Sequence, residues 1–275
     1  MNIFSILVKT FYRCLHTLAT NKNLVISLSK REIGSKYKGS FIGLLWSFIN
    51  PVLMMVIYTF VFSVVFKIRW SAGVDSKGEF ALALFIGLIF FGLFSECINR
   101  APYLIVSNVN YVKKVVFPVE ILPIVSLCTA LFQMVINFVV WLLFYVAIVG
   151  IPTWHILWLP VIIAPFLMMV LGVSWFLSSL GVYLKDIAQV IGVLTMILMY
   201  LSPIFYPISM LPDAYHIFMQ LSPLTYVIEQ ARDCMMLGKN IAWGSWGIYT
   251  LISFVIMLLG YGWFMFTRKG FADVI

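Results

Sequence analysis

Charge is scarce in this chain. Only 10% of its 275 residues are Asp, Glu, Lys or Arg, where a soluble domain carries about a quarter. So few charges cannot cover the surface of a water-soluble globule. That excludes a soluble enzyme, a disordered protein and a secreted scaffold. It also argues against a nucleic-acid partner, despite the net charge of +8. Cysteine is sparse as well. Cys14, Cys97, Cys128 and Cys234 are scattered and form no C-x-x-C pair, so neither a disulfide framework nor a thiolate metal site is expected. There is no GxxxxGK[ST] loop to cradle a nucleotide. His16, His155 and His216 fall in different connections, and no Ser, His and Asp set comes together in the sequence. No cleavable signal peptide is expected, because the apolar run from Ile3 to Val8 is short and meets Lys9 and Arg13.

What the chain has is apolar length. Hydrophobic residues make up 63% of it. The expected fold is an all-α polytopic membrane protein with six transmembrane helices, at about 41–66, 80–98, 121–149, 156–183, 188–205 and 246–266. At 1.5 Å per residue each can cross a core of about 30 Å. A β-barrel would show alternating segments instead. Pro51, Pro160 and Pro165 fall inside spans and predict kinks or breaks there. Residues 41–275 form the transmembrane domain.

Residues 1–40 stand apart. Phe4, Leu7, Val8, Phe11, Tyr12 and Leu15 recur at helical spacing, beside a basic cluster that includes Lys30, Arg31, Lys36 and Lys38. This reads as an amphipathic helix in the cytoplasmic interface, its cations toward lipid phosphates. The alternative is a solvated basic tail. Between the fifth and sixth spans, Tyr206 to Gly244 holds Pro207, Pro212 and Pro223 among apolar pieces. It is too apolar for a free loop and too interrupted for a span, so short re-entrant helices are expected. Lys and Arg set the orientation. Thirteen of the 18 lie on the side of the termini and five opposite, so both termini are expected in the cytoplasm.

Within the spans Glu96 alone carries a carboxylate or ammonium, either capping its helix end or pairing with Arg100. Ion-driven transport needs ion ligands near the midplane, so a secondary transporter is disfavoured. Energy for uphill movement must then come from a partner. The dispersed acids likewise argue against a membrane-bound transferase. Tyr58, Phe62 and Phe66 fall on one helical face, and Tyr200, Phe205 and Tyr206 cluster at the outer end of the fifth span. These rings suit either a path for sugar rings or ordinary packing. The 99–120 connection offers a short helix opened by Pro102 with Leu104, Ile105, Val109 and Val112 on one side. It fits a soluble partner's groove or a headgroup-bound loop.

Several blocks resemble the membrane subunit of bacterial polysaccharide ABC exporters, above all the O-antigen export permeases. They are SKREIGSKYKGSFIGLLWSFINPVLMMVIYTFVFSVVF (29–66), NRAPYLIVSNVNYVKKVVFPVEILP (99–123), GVYLKDI (181–187), SPIFYPISMLPD (202–213), SPLTYVIEQARD (222–233) and RKGFADV (268–274). The resemblance covers nearly all of the chain from residue 24. Ser222 and Lys185 depart mildly from the pattern, which has Asn and Arg there. The resemblance implies a non-catalytic, channel-forming permease in the inner membrane. It implies a homodimer working with two ATPase subunits that carry ATP and Mg, with no cofactor on this chain. An undecaprenyl-diphosphate-linked polysaccharide would pass to the periplasm; teichoic acid, capsule or a small hydrophobic compound are alternatives. Tyr58, Phe62, Phe66, Tyr200, Phe205 and Tyr206 would line the channel. Tyr103, Leu104, Ile105, Asn108, Val109, Asn110 and Tyr111, with Lys185 and Asp186, would couple to the ATPase. Lys30, Arg31, Lys36 and Lys38 would meet the pyrophosphate or lipid headgroups. Pro207, Pro223, Glu229, Arg232 and Asp233 would belong to a periplasmic gate.

Overall fold

The computed structural model describes residues 12, 13, 16, 17, 19–36, 38, 42–61, 77–113, 117–208, 212, 219 and 222–274. Among them the regular structure is helical. The helices are α1 (Lys22–Lys36), α2 (Trp46–Tyr58), α3 (Lys77–Arg100), α4 (Val109–Val112) and α5 (Leu122–Ile148). They continue as α6 (Leu159–Tyr183), α7 (Ile187–Leu201), α8 (Thr225–Met235), α9 (Trp243–Thr267) and α10 (Phe271–Val274). Five stretches are long and apolar enough to cross a membrane: Gly43–Val61, Gly78–Tyr103, Val119–Ile148, Trp154–Tyr183 and Trp243–Gly270. The protein is a multi-pass membrane protein.

The expected fifth span, 188–205, is cut short. α7 has 15 residues, about 22 Å of helix. Ser202 is extended at φ −100°, ψ 152°, because Pro203 crowds the residue before it out of the α region.

The expected breaks at proline are not there. Pro51 and Pro165 sit inside continuous helices, and Pro160 occupies the first turn of α6. A proline inside a helix leaves the carbonyl four residues back without its donor. Here a neighbouring helix supplies one. The Gln133 Nε2 of α5 donates to Ser47 O at 3.0 Å. The Trp246 Nε1 of α9 donates to Val161 O at 3.0 Å.

α3, α5 and α6 carry most of the core. Trp141 and Trp175 are fully buried, and each indole N–H finds a carbonyl. Trp141 donates to Leu82 O at 3.0 Å and Trp175 to Glu120 O at 2.9 Å. α6 and α9 run along one another, and they touch backbone to backbone. A Cβ on Gly260 would lie 1.9 Å from Gly172 O. Small residues at a crossing permit this approach in membrane helices. Gly150, at φ +117°, lets the chain turn back within a few residues of α5.

The bundle has two ends. Arg100, Tyr183, Arg268 and α10 meet at one, the basic end; the start of α9 and residues 154–158 lie at the other, the far end. α1 lies against α5 through Leu24, Val25, Leu28 and Ser29. Residues 1–11, which carry the first part of the expected amphipathic pattern, lie outside the described residues.

Candidate functional site

The run after α3 is not one helix over 103–111. It is a 3-10 turn at Ala101–Tyr103, a second at Val106–Asn108, then α4. Polar side chains break it by taking the carbonyls. Ser107 Oγ donates to Tyr103 O at 2.6 Å and Asn108 Nδ2 to Leu104 O at 2.9 Å. Such local bonds compete with helical ones. Asn108 itself sits at φ −119°, ψ 37°.

This segment is laid flat on the end of α6. A Cβ at Gly181 would fall 2.1 Å from Pro102 O, so glycine is required there. Ala101, Pro102, Leu104 and Ile105 are buried beneath it. The apolar side expected to meet a partner therefore faces the protein's own helices at Leu104 and Ile105. Tyr103, Val106, Ser107 and Asn110 point outward, with Val109 and Tyr111 half-buried. Beside them lies a groove of about 400 Å³, lined by Tyr103, Val106, Val109, Gly181, Lys185 and Val274 among others. Lys185 and Asp186 are exposed on the adjoining turn. The structure thus brings the two expected coupling segments onto one face and adds α10 to it.

α1 is tied to the same face. Glu32 pairs with Arg100, Lys36 pairs with Glu96, and Arg31 Nη2 donates to Tyr111 OH at 2.8 Å. The i,i+4 pair read from sequence, Glu96 with Arg100, is present at 3.9 Å. These groups are partly exposed, so each pair is worth about 0–1 kcal/mol. Arg31 and Lys36 are thereby engaged within the chain, while Lys30 and Lys38 are exposed. Arg268 pairs with the buried Glu120 at 2.7 Å, fastening the segment after α9.

The expected gate residues lie at the other side of α3. Arg232 is buried, 6% exposed. Its Nε donates to Ala83 O and its Nη2 to Ile204 O, both at 2.8 Å, and its Nη1 to Pro203 O. A guanidinium stays cationic at neutral pH, so burial here demands that its donors be met. It is a clamp for the carbonyls freed where α7 ends. Asp233 pairs with Lys239 at 3.1 Å, and Pro223 O accepts from Tyr249 OH at 3.0 Å. Pro207 is half-buried.

Of the expected channel residues, Phe62 and Phe66 lie outside the described residues. Tyr58 is half-buried in a groove between α2 and α5. Tyr200 and Phe205 stack with centroids 6.0 Å apart, and Tyr206 OH donates to Tyr200 O at 2.8 Å. Burial pushes the Tyr206 phenol up. Sequence reading missed the buried state of Arg232, which it counted as a loop cation, and the amides Asn50, Gln133 and Asn137. The i,i+4 amide pair Gln133–Asn137 inside an apolar run is the signal that was there to find.

Residues 23–236 match the ABC-2 type transporter family. The chain is 29% identical to the O-antigen export system permease protein RfbA of Myxococcus xanthus, over 77% of this chain and 80% of that one. It is 24% identical to an O-antigen export system permease protein RfbA of Klebsiella pneumoniae, over 92% and 95%. It is 23% identical to the polysialic acid transport protein KpsM of Escherichia coli, over 87% and 93%. A family match over most of the chain, on a bundle of membrane-length helices, settles the assignment: the chain belongs to the ABC-2 type transporter family.

Proposed function

We propose that this chain is the channel-forming membrane subunit of an ATP-driven exporter. It moves a lipid-linked polysaccharide of O-antigen type from cytoplasm to periplasm, as a homodimer with two separate ATPase subunits. The observation that carries this is the face at the basic end. There Tyr103, Val106 and Lys185 stand outward around a 400 Å³ groove, in a chain that has no phosphate loop of its own. An exposed aromatic and valine beside a cation make a docking surface for a soluble partner.

The count of six crossings fits the path of the chain. α7 leaves the basic end, where Thr195 bonds Asn99 at 3.2 Å, and Ile204 arrives beside Gly87 and Ala83 toward the far end. With residues 202–205, α7 makes the fifth crossing, and α8 is a re-entrant helix behind it. Both termini are then cytoplasmic. On this reading Tyr58, and Tyr200 with Phe205 and Tyr206, line the channel of the dimer; Phe62 and Phe66, expected on the same path, lie outside the described residues. Aromatic faces meet the apolar side of sugar rings without binding them tightly. The relative named for polysialic acid transport supports a capsule polymer as the alternative cargo.

The test is Val106→Asp in the complete system. Burying an unpaired charge costs a few kcal/mol, enough to loosen docking. The variant should insert and dimerise normally, fail to retain the ATPase in detergent pull-downs, and lose export. Normal retention and normal export in this variant would refute the assignment.

A further inference from the structure

α2 has no charged residue, and two of its polar groups are satisfied on the helix itself. Ser47 Oγ donates to Leu44 O at 2.6 Å, and Thr59 Oγ1, just past the end, to Met55 O at 2.7 Å. Asn50 is different. It is exposed, and among the described residues its side chain has no hydrogen-bond partner. It shares one face with Met54 and Tyr58, four and eight residues on. That face borders a groove of about 250 Å³. Gln133 and Asn137 of α5 form the opposite wall, and Phe85 and Leu88 of α3 the floor. Gln133 Nε2 is occupied with Ser47 O and Asn137 Oδ1, so Asn50 and the amide nitrogen of Asn137 give the groove its polar character, with Tyr58 on its wall.

An amide facing hydrocarbon without a partner is costly. Asn50 therefore belongs against water or a polar occupant, not lipid tails. The groove contains neutral donors and acceptors only, so it suits neither a cation nor a phosphate. Its floor and rim, with Phe85, Leu88, Pro51 and Met54, are apolar. Amides for hydroxyls and an apolar floor for C–H faces are the complement of a sugar ring, and the space holds a single ring.

We infer that the groove bounded by Asn50, Tyr58 and Asn137 is a water-filled saccharide subsite on the export path, where neutral amides hand hydroxyls along. This rests on the export reading above. Neutral, few and shallow contacts keep binding weak, which conduction requires.

The experiment uses the whole complex with its four native cysteines replaced by alanine and Asn50→Cys added. A thiolate attacks the methanethiosulfonate sulfur, forming a mixed disulfide and releasing methanesulfinate, so a thiol in lipid, which stays un-ionised, is inert. The Asn50→Cys thiol should react quickly, and Leu143→Cys, on an outward apolar face of α5, should not. Maltotriose at high millimolar concentration should slow the Asn50→Cys reaction severalfold. Asn50→Leu should lower export about fivefold, the loss of roughly one hydrogen bond, with dimer and ATPase retained and Asn50→Gln restoring part of it. Capture of a photoreactive lipid at position 50 with an inert thiol would overturn the inference. So would a spontaneous disulfide between two Asn50→Cys copies with full export, which makes the amide an interface contact. Labelling that maltotriose leaves unchanged also overturns it. Export by the unsubstituted complex is measured alongside. Its absence sinks the export reading, whereas intact export with an inert thiol sinks only the subsite.

Discussion

Replacing Arg232 by methionine isolates what its guanidinium does. Methionine keeps the apolar stem and approximate length but removes every donor. Three carbonyls lose a partner: Ala83 O, Pro203 O and Ile204 O. They are not equivalent. Ala83 lies inside α3, where a helical amide already engages its carbonyl. Pro203 and Ile204 lie past the last turn of α7 and have no such donor. Two buried carbonyls left unsatisfied cost about 1–3 kcal/mol each. Removing a buried cation gives some of this back, because its desolvation penalty disappears. A net loss of about 3 kcal/mol is expected, or a fall in Tm of about 6–12 °C for a chain of this size.

Thermal unfolding of the detergent-purified protein, followed by tryptophan fluorescence, measures it. Arg232→Lys should fall between the two, since one ammonium reaches some of these acceptors in place of a planar fork. A methionine variant within about 1 °C of the parent would refute the reasoning, because it would mean that water already serves these carbonyls. A lysine variant less stable than methionine would refute it too, placing the cost in charge burial instead of lost donors.

Gln133→Leu should cost about 1–3 kcal/mol by orphaning Ser47 O, and Pro51→Ala, which restores the helical donor, should remove most of that cost in the double variant; additive losses in the same melting assay would sink the proline account. Gly260→Leu should prevent folded protein from accumulating, since even a Cβ would lie 1.9 Å from Gly172 O, whereas Gly92→Ala, with nothing within 4 Å, should be neutral; expression and gel filtration decide. Glu32→Gln should shift Tm by less than about 3 °C, as a partly exposed pair warrants, and its small effect should shrink further in high salt.

How much of this was legible in the sequence follows the kind of force involved. Apolar length is a sum over many residues, so the spans at 80–98, 121–149, 156–183 and 246–266 were readable, and α3, α5, α6 and α9 contain or nearly match them. The end of α7 was readable in principle, since Pro203 acts on the residue before it. It was lost because apolar residues continue to Phe205 and hydropathy does not see backbone conformation. The segment after Arg100 was seen as apolar-sided, but not that its apolar side turns inward. That depends on Gly181, about 80 positions later, allowing Pro102 to lie on α6. Tyr58 was singled out for its ring, yet its groove partners were passed over, because Asn50, Gln133 and Asn137 carry no charge.

Arg232 shows the limit most clearly. Counting cations by loop assigns it to the outside, and any rule based on local composition does the same. Its place is decided by two carbonyls freed where α7 stops, Pro203 O and Ile204 O, and a third on α3, which passes nearby. The two prolines obey the same logic from the other side. Pro51 and Pro165 each announce a missing donor, but not where the replacement comes from. Gln133 lies 82 residues from Pro51, and Trp246 lies 81 from Pro165. In water a freed carbonyl would be solvated and leave no trace on the rest of the chain. In a membrane it must be met by protein, so each break in the backbone pattern dictates a polar side chain on another helix. Polar residues in spans are therefore read best as answers to particular carbonyls first. Asn50, exposed and answering none among the described residues, stands out on that reading as a side chain to be met from outside them.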